Sequence, residues 1–139
     1  MKPAGSRSTM SAGPGGEMDK KRILLVEDDR SLQLALRYFL EDMGYEAVIV
    51  GDHAQAARAI GDGPFAAAIV DYFLGDVPTS HLIAELQRRH PSMPLVCSTG
   101  ASVEQIKIEE GSRPPTAYLI KPFGVDELRN TLQSLFPDG

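Results

Sequence analysis

The chain has 139 residues, a net charge of −5 and a pI near 5.1. That length suits one domain, which buries roughly two-thirds of its unfolded surface and folds without a disulfide or structural metal. An acidic balance speaks against a domain that neutralises phosphate backbones, and no run of about 18 apolar residues exists, so neither direct nucleic-acid binding nor a membrane span is expected.

Residues 1–20 are rich in Gly, Ser, Pro and Ala and carry no periodic apolar pattern, so nothing offsets the entropy of ordering them. They read as a flexible leader or tag, with residues 21–139 as the folded domain. No apolar central region follows Lys2 and Arg7, which speaks against a signal peptide.

From Lys21 onward short apolar runs alternate with stretches of helical period, the pattern of a parallel sheet covered on both faces. Candidate strands cover 22–26, 46–50, 66–70, 95–98 and 117–120. The fold class is therefore α/β, a doubly wound five-stranded parallel sheet. In the first helix Leu32, Ala35, Leu36, Phe39, Leu40 and Met43 recur at three- and four-residue spacing, and Gly44 supplies a left-handed stop. A short Ala-rich helix covers 53–60, and a third covers 80–90 with Leu82, Ile83 and Leu86 inward. The fourth is weaker: Ser102 and Gln105 have capping-box spacing, but Gly111, Pro114 and Pro115 cut it short. The fifth, 125–136, buries Leu128, Leu132, Leu135 and Phe136. Cys97, the single cysteine, falls in an apolar strand, implies no disulfide framework and suits a reducing cytoplasm.

Ligands of open parallel sheets bind at the carboxyl ends of the strands. Strand one ends in Glu27, Asp28 and Asp29, strand three in Asp71, strand four in Thr99 and strand five in Lys121. Each has an ordinary structural use alone: an Asp caps a helix, a Thr satisfies backbone, a Lys is solvated. Together, at four strand ends, they suit one chemistry. Carboxylate oxygens suit a hard cation such as Mg²⁺, for which Glu27, Asp28 and Asp71 are candidates. The ion would let the Asp71 carboxylate approach a phosphoryl group as nucleophile, with Lys121 and the Thr99 hydroxyl on the phosphoryl oxygens. The added charge would draw in a mobile hydroxyl and its loop, a switch.

The strings "ILLVEDD" at 23–29, "AIVDYFLGD" at 68–76, "LVCSTGA" at 95–101 and "AYLIKPF" at 117–123 resemble the receiver family of two-component response regulators, and the resemblance spans about residues 21–136. It implies a flavodoxin-like receiver fold. It further implies that Asp28 is a direct Mg²⁺ ligand beside Glu27, Asp71 the phosphoacceptor and third ligand, the backbone carbonyl of Phe73 a further ligand, Thr99 the switch hydroxyl and Lys121 the phosphate contact. Tyr118 matches an aromatic that swings inward on activation, and the Lys121–Pro122 bond would be cis. The implied partners are a histidine kinase or histidine phosphotransfer domain and an unidentified downstream protein, with a homodimer left open. The reading is a cytoplasmic signalling receiver that catalyses only its own phosphorylation and dephosphorylation. No output domain follows Phe136, which leaves a stand-alone receiver, a phosphate shuttle or a piece of a longer protein.

Three departures stand out. The loop after the acceptor reads "GDVPTS", with Gly75 where the family commonly has Pro. The stretch before strand five reads "GSRPPT". Phe73, large and apolar, would obstruct an attacking water, so a long-lived phospho-aspartate is expected. Leu34 and Tyr38 lie off the inward stripe of helix one and are candidates for a docking patch. His53, His81 and His90 show no transition-metal spacing. Two competing readings are a receiver-like interaction module that takes no phosphate, and an aspartate-nucleophile phosphatase. The second normally needs an Asp two residues past the nucleophile, where this chain has Phe73.

Overall fold

A computed structural model describes residues 20–100 and 102–137; the leader assigned to residues 1–20 lies outside the described residues except for Lys20. In chain order the elements are β1 (Arg22–Val26), α1 (Arg30–Asp42), β2 (Glu46–Val50), α2 (His53–Ile60), β3 (Ala67–Asp71), β4 (Phe73–Leu74), β5 (Val77–Pro78), α3 (Ser80–Arg89), β6 (Leu95–Thr99), β7 (Ala117–Ile120) and α4 (Val125–Leu135). Five strands form one parallel sheet in the order β2-β1-β3-β6-β7. No described helix is long and apolar enough to cross a membrane.

Strand side chains alternate between faces, so a strand buried on both sides feeds two cores. Leu24 and Val26 of β1 join Ala56, Ile83 and Leu86 under α2 and α3. Ile23 and Leu25 join Leu36, Leu40, Leu128 and Leu132 under α1 and α4. The doubly wound sheet expected from the sequence is the observed fold. The first-helix stripe packs as its spacing implies, with Leu36 and Leu40 buried. Leu40→Ala there would cost about 2–5 kcal/mol. At the other end Gly44 takes φ +93°, the left-handed conformation that stops α1.

The weak fourth helix is corrected. Between β6 and β7 a single 3₁₀ turn, Val103–Gln105, stands where an α-helix was expected, and the Ser102 side chain makes no capping bond. The segment has no inward stripe of helical period to bury, and Gly111 at φ +87° turns the chain before the two prolines. Side chains from elsewhere hold it instead. Gln87 of α3 makes a two-way pair with the Arg113 backbone, Nε2 to O at 2.8 Å and Oε1 from N at 2.9 Å. The Tyr72 hydroxyl donates to the Lys107 carbonyl at 3.3 Å and accepts from its amide at 3.0 Å. The "GDVPTS" loop also has its own geometry: β4 and β5 form an antiparallel hairpin turning at Gly75, φ +61°.

Candidate active site

Because the strands are parallel, their ends converge. Val26 pairs with Val70, which sets Glu27 beside Asp71 one step on, and Thr99 pairs with Ile120, which sets Lys121 at the neighbouring end. All four strand-end groups read from the sequence come to one edge of the sheet. The Lys121–Pro122 bond is cis.

Lys121 Nζ donates to Glu27 Oε1 at 2.9 Å and to Asp71 Oδ2 at 2.8 Å. Both acceptors are buried, Glu27 at 2% and Asp71 at 7% exposure. The second Glu27 oxygen accepts from the Asp29 amide at 3.0 Å, so both of its oxygens are held by this chain. Asp29 itself caps α1 by accepting from the Leu32 amide. Burial raises the Glu27 pKa above the usual carboxylate value, with the Asp29 amide and Lys121 opposing and the Asp71 charge adding to it. For Lys121 burial works to lower the pKa, but the bonds to Asp71 and Glu27 outweigh it and the net direction is upward. Thr99 is fully buried at the end of β6. Tyr118 is partly buried against the core beneath α2 and α3.

Glu27, Asp28 and Asp71 each present a carboxylate oxygen, all within 4.8 Å of one another. Three hard oxygen donors fit Mg²⁺ better than a soft metal. Asp28 is exposed, with Oδ2 accepting from the Gly75 amide at 2.8 Å and the other oxygen available. The Phe73 backbone lies at the same spot, its amide donating to Asp71 Oδ1 at 3.3 Å, and the Phe73 ring meets Tyr72 edge-on at 4.8 Å.

Several supporting groups were not legible as site residues. Gln33 Nε2 donates to the Glu27 carbonyl at 2.6 Å, holding the start of the acidic run. The fully buried Thr79 hydroxyl lies 2.8 Å from the Asp71 carbonyl and 3.0 Å from that of Tyr72, fixing the backbone at Asp71. Gln33 sits off the apolar stripe of α1, the one sequence signal that it faces something polar.

Leu34 and Tyr38 are 63% and 66% exposed. Leu34 borders a polar cleft of about 420 Å³ with Asp28, Arg30 and Gln33. On the other side of the site Leu32, Ala35, Pro122 and Phe123 line a largely apolar groove of about 590 Å³ beside Lys121. Leu32 and Ala35 belong by their spacing to the inward stripe of α1, and nothing in that spacing marks the groove.

The family model described as "Response regulator receiver domain" matches residues 23–133. The transcriptional regulatory protein TcrA of Mycobacterium tuberculosis is 31% identical over 135 residues, covering 92% of this chain and 53% of TcrA. The chain thus spans about half the length of that relative. Among solved structures, a CheY-like receiver domain from Methylobacillus flagellatus superposes with a TM-score of 0.71 at 25% identity, covering 84% of this chain and 99% of its own. The receiver domain of a Pseudomonas aeruginosa sensor histidine kinase, solved with a magnesium ion coordinated in its active-site cleft, matches at TM-score 0.70 and 25% identity, covering 86% and 100%.

Proposed function

This chain belongs to the response regulator receiver domain family of two-component systems, and on that premise we propose that Asp71 accepts a phosphoryl group from the phosphohistidine of a histidine kinase or histidine phosphotransfer domain. The observation that carries the proposal is the bridge of Lys121 between Glu27 and Asp71, with Asp28 completing a carboxylate cluster. An Asp71 carboxylate oxygen forms the new bond to phosphorus while the donor's P–N bond breaks, and the imidazole leaves with the electron pair. Asp28, Asp71 and the Phe73 carbonyl, with Glu27 beside them, would hold Mg²⁺, whose positive charge would let an anionic nucleophile meet an anionic phosphoryl group. Lys121 exchanges its Asp71 contact for a phosphoryl oxygen while keeping Glu27, and the Thr99 hydroxyl takes another oxygen, the step that draws in the loop after β6 and Tyr118. Phe73 restricts water access to the acyl phosphate and lengthens its lifetime. The chemistry is self-directed, with no turnover substrate, and belongs in the cytoplasm.

Leu34 and Tyr38 on one flank and the Leu32–Phe123 groove on the other supply apolar contacts for the donor. Mixing the protein with a phosphorylated histidine phosphotransfer domain and Mg²⁺ should move label to wild type and none to Asp71→Asn. Leu34→Ala with Tyr38→Ala should slow transfer from that protein donor and leave labelling by acetyl phosphate unchanged. Label on Asp71→Asn would overturn the assignment of the acceptor.

A further inference from the structure

We propose that the β4–β5 hairpin is a positioning device for the cation site, holding Asp28 through the tip amide of Gly75. The inference rests on the Mg²⁺ reading above and adds a residue to it that is neither a ligand nor a phosphate contact.

Asp28 sits exposed at the end of β1, and the Gly75 amide is the one hydrogen-bond donor to its carboxylate among the described residues. An exposed Asp samples several rotamers, and a cation that binds it must offset their loss. A backbone N–H fixed 2.8 Å from Oδ2 removes part of that freedom beforehand and leaves the other oxygen for the ion. The opposite end of the hairpin acts alike on Asp71, whose Oδ1 accepts from the Phe73 amide at 3.3 Å. The hairpin therefore spans two carboxylates that come from different strands.

Its footing reaches the core. Leu74 is buried in the core beneath α2 and α3. The Thr79 hydroxyl binds the Asp71 and Tyr72 carbonyls just below it. The tip is a two-residue turn between Leu74 and Val77, in which Gly75 takes φ +61° and points its amide at Asp28. A Cβ at Gly75 would meet nothing within 4 Å, so backbone conformation and not space makes glycine the fitting residue. A side chain placed there perturbs the turn and nothing else. Coupling between hairpin and ion is reciprocal: whatever holds the tip in place tightens Mg²⁺, and Mg²⁺ steadies the tip.

The test is a Mg²⁺ titration followed by amide NMR shifts on the whole chain for wild type, Gly75→Ala, Gly75→Asn and Asp28→Ala. Gly75→Ala should weaken Mg²⁺ about fivefold to tenfold, because alanine resists the left-handed turn. Gly75→Asn, which tolerates that turn, should stay within about twofold of wild type. A merely structural glycine would not give this split in metal affinity. Exchange of the Gly75 amide in wild type should slow with Mg²⁺ and quicken in Asp28→Ala, a readout that leaves the hairpin sequence intact. Wild-type Mg²⁺ affinity in Gly75→Ala, or Gly75 exchange that ignores both Mg²⁺ and Asp28→Ala, overturns the positioning role while the cation site stands. No Mg²⁺-dependent shift in wild type overturns both.

Discussion

The ammonium of Lys121 lies 2.9 Å from Glu27 and 2.8 Å from Asp71, tying the end of β7 to the ends of β1 and β3. Take it away and two buried carboxylates face each other without a counter-charge. Removing one partner of a buried pair costs about 3–5 kcal/mol, and the 26% exposure of the Lys121 side chain brings that down to about 2–3 kcal/mol. Lys121→Ala should lose that much stability by urea unfolding in metal-free buffer and recover part of it on adding Mg²⁺. An unchanged midpoint would contradict the bridge.

The same bridge sets a pH dependence. The folded-state pKa of Lys121 is raised, so its stabilisation is complete below the ordinary lysine value of 10.5 and fades as pH climbs through the raised one. Glu27 is also raised, but for an acid that is a cost of burying charge: stability falls as pH rises from 4.5 through its folded value. The difference in unfolding free energy between wild type and Lys121→Met should accordingly stay level from neutral pH to about pH 10 and shrink above it. A difference that grew with alkalinity would have the wrong sign.

Cys97 is fully buried, and burial, with a smaller contribution from the Asp71 charge, pushes its thiol up to about 12. Since the thiolate is the reactive form, a disulfide reagent at pH 8 should leave the native protein unlabelled and label it fully in urea. Rapid labelling without denaturant would place the thiol near the surface.

Two side chains, Gln87 and Tyr72, bind the backbone of the segment that replaces the fourth helix. Gln87→Ala deletes two bonds to the Arg113 backbone and should cost about 1–3 kcal/mol, and Tyr72→Phe about 1 kcal/mol. Faster hydrogen exchange across residues 105–115 in both variants is the expected readout. Protection equal to wild type would show that the segment is held by something else.

The sheet and the strand-end groups were legible because each depends on local pattern: apolar runs of strand length, a helical stripe from Leu32 to Met43, and the residue that follows each run. Parallel topology then brings those ends together whatever the loops do. What escaped were contacts made at long range by single side chains or backbone groups. Gln33 looks like any polar helix residue, and Gln87 gives no hint that it reaches Arg113. The hairpin around "GDVPTS" left no signal in the sequence because strands of two residues carry no period to detect. Its tip amide reaches Asp28, 47 positions away, a relation the sequence pattern does not encode. The fourth helix failed for the opposite reason: capping spacing was present, but no apolar face existed to pack a helix down.

Phosphoryl acceptance at Asp71 is tested most directly by intact-mass measurement after incubation with acetyl phosphate and Mg²⁺, followed by mapping of the modified residue. The expected result is one phosphoryl group on Asp71 that requires Mg²⁺, is absent from Asp71→Asn and is lost with hydroxylamine, as an acyl phosphate is. An unmodified wild-type mass under these conditions and with a phosphohistidine donor, or a phosphoryl group on a different residue, would contradict it.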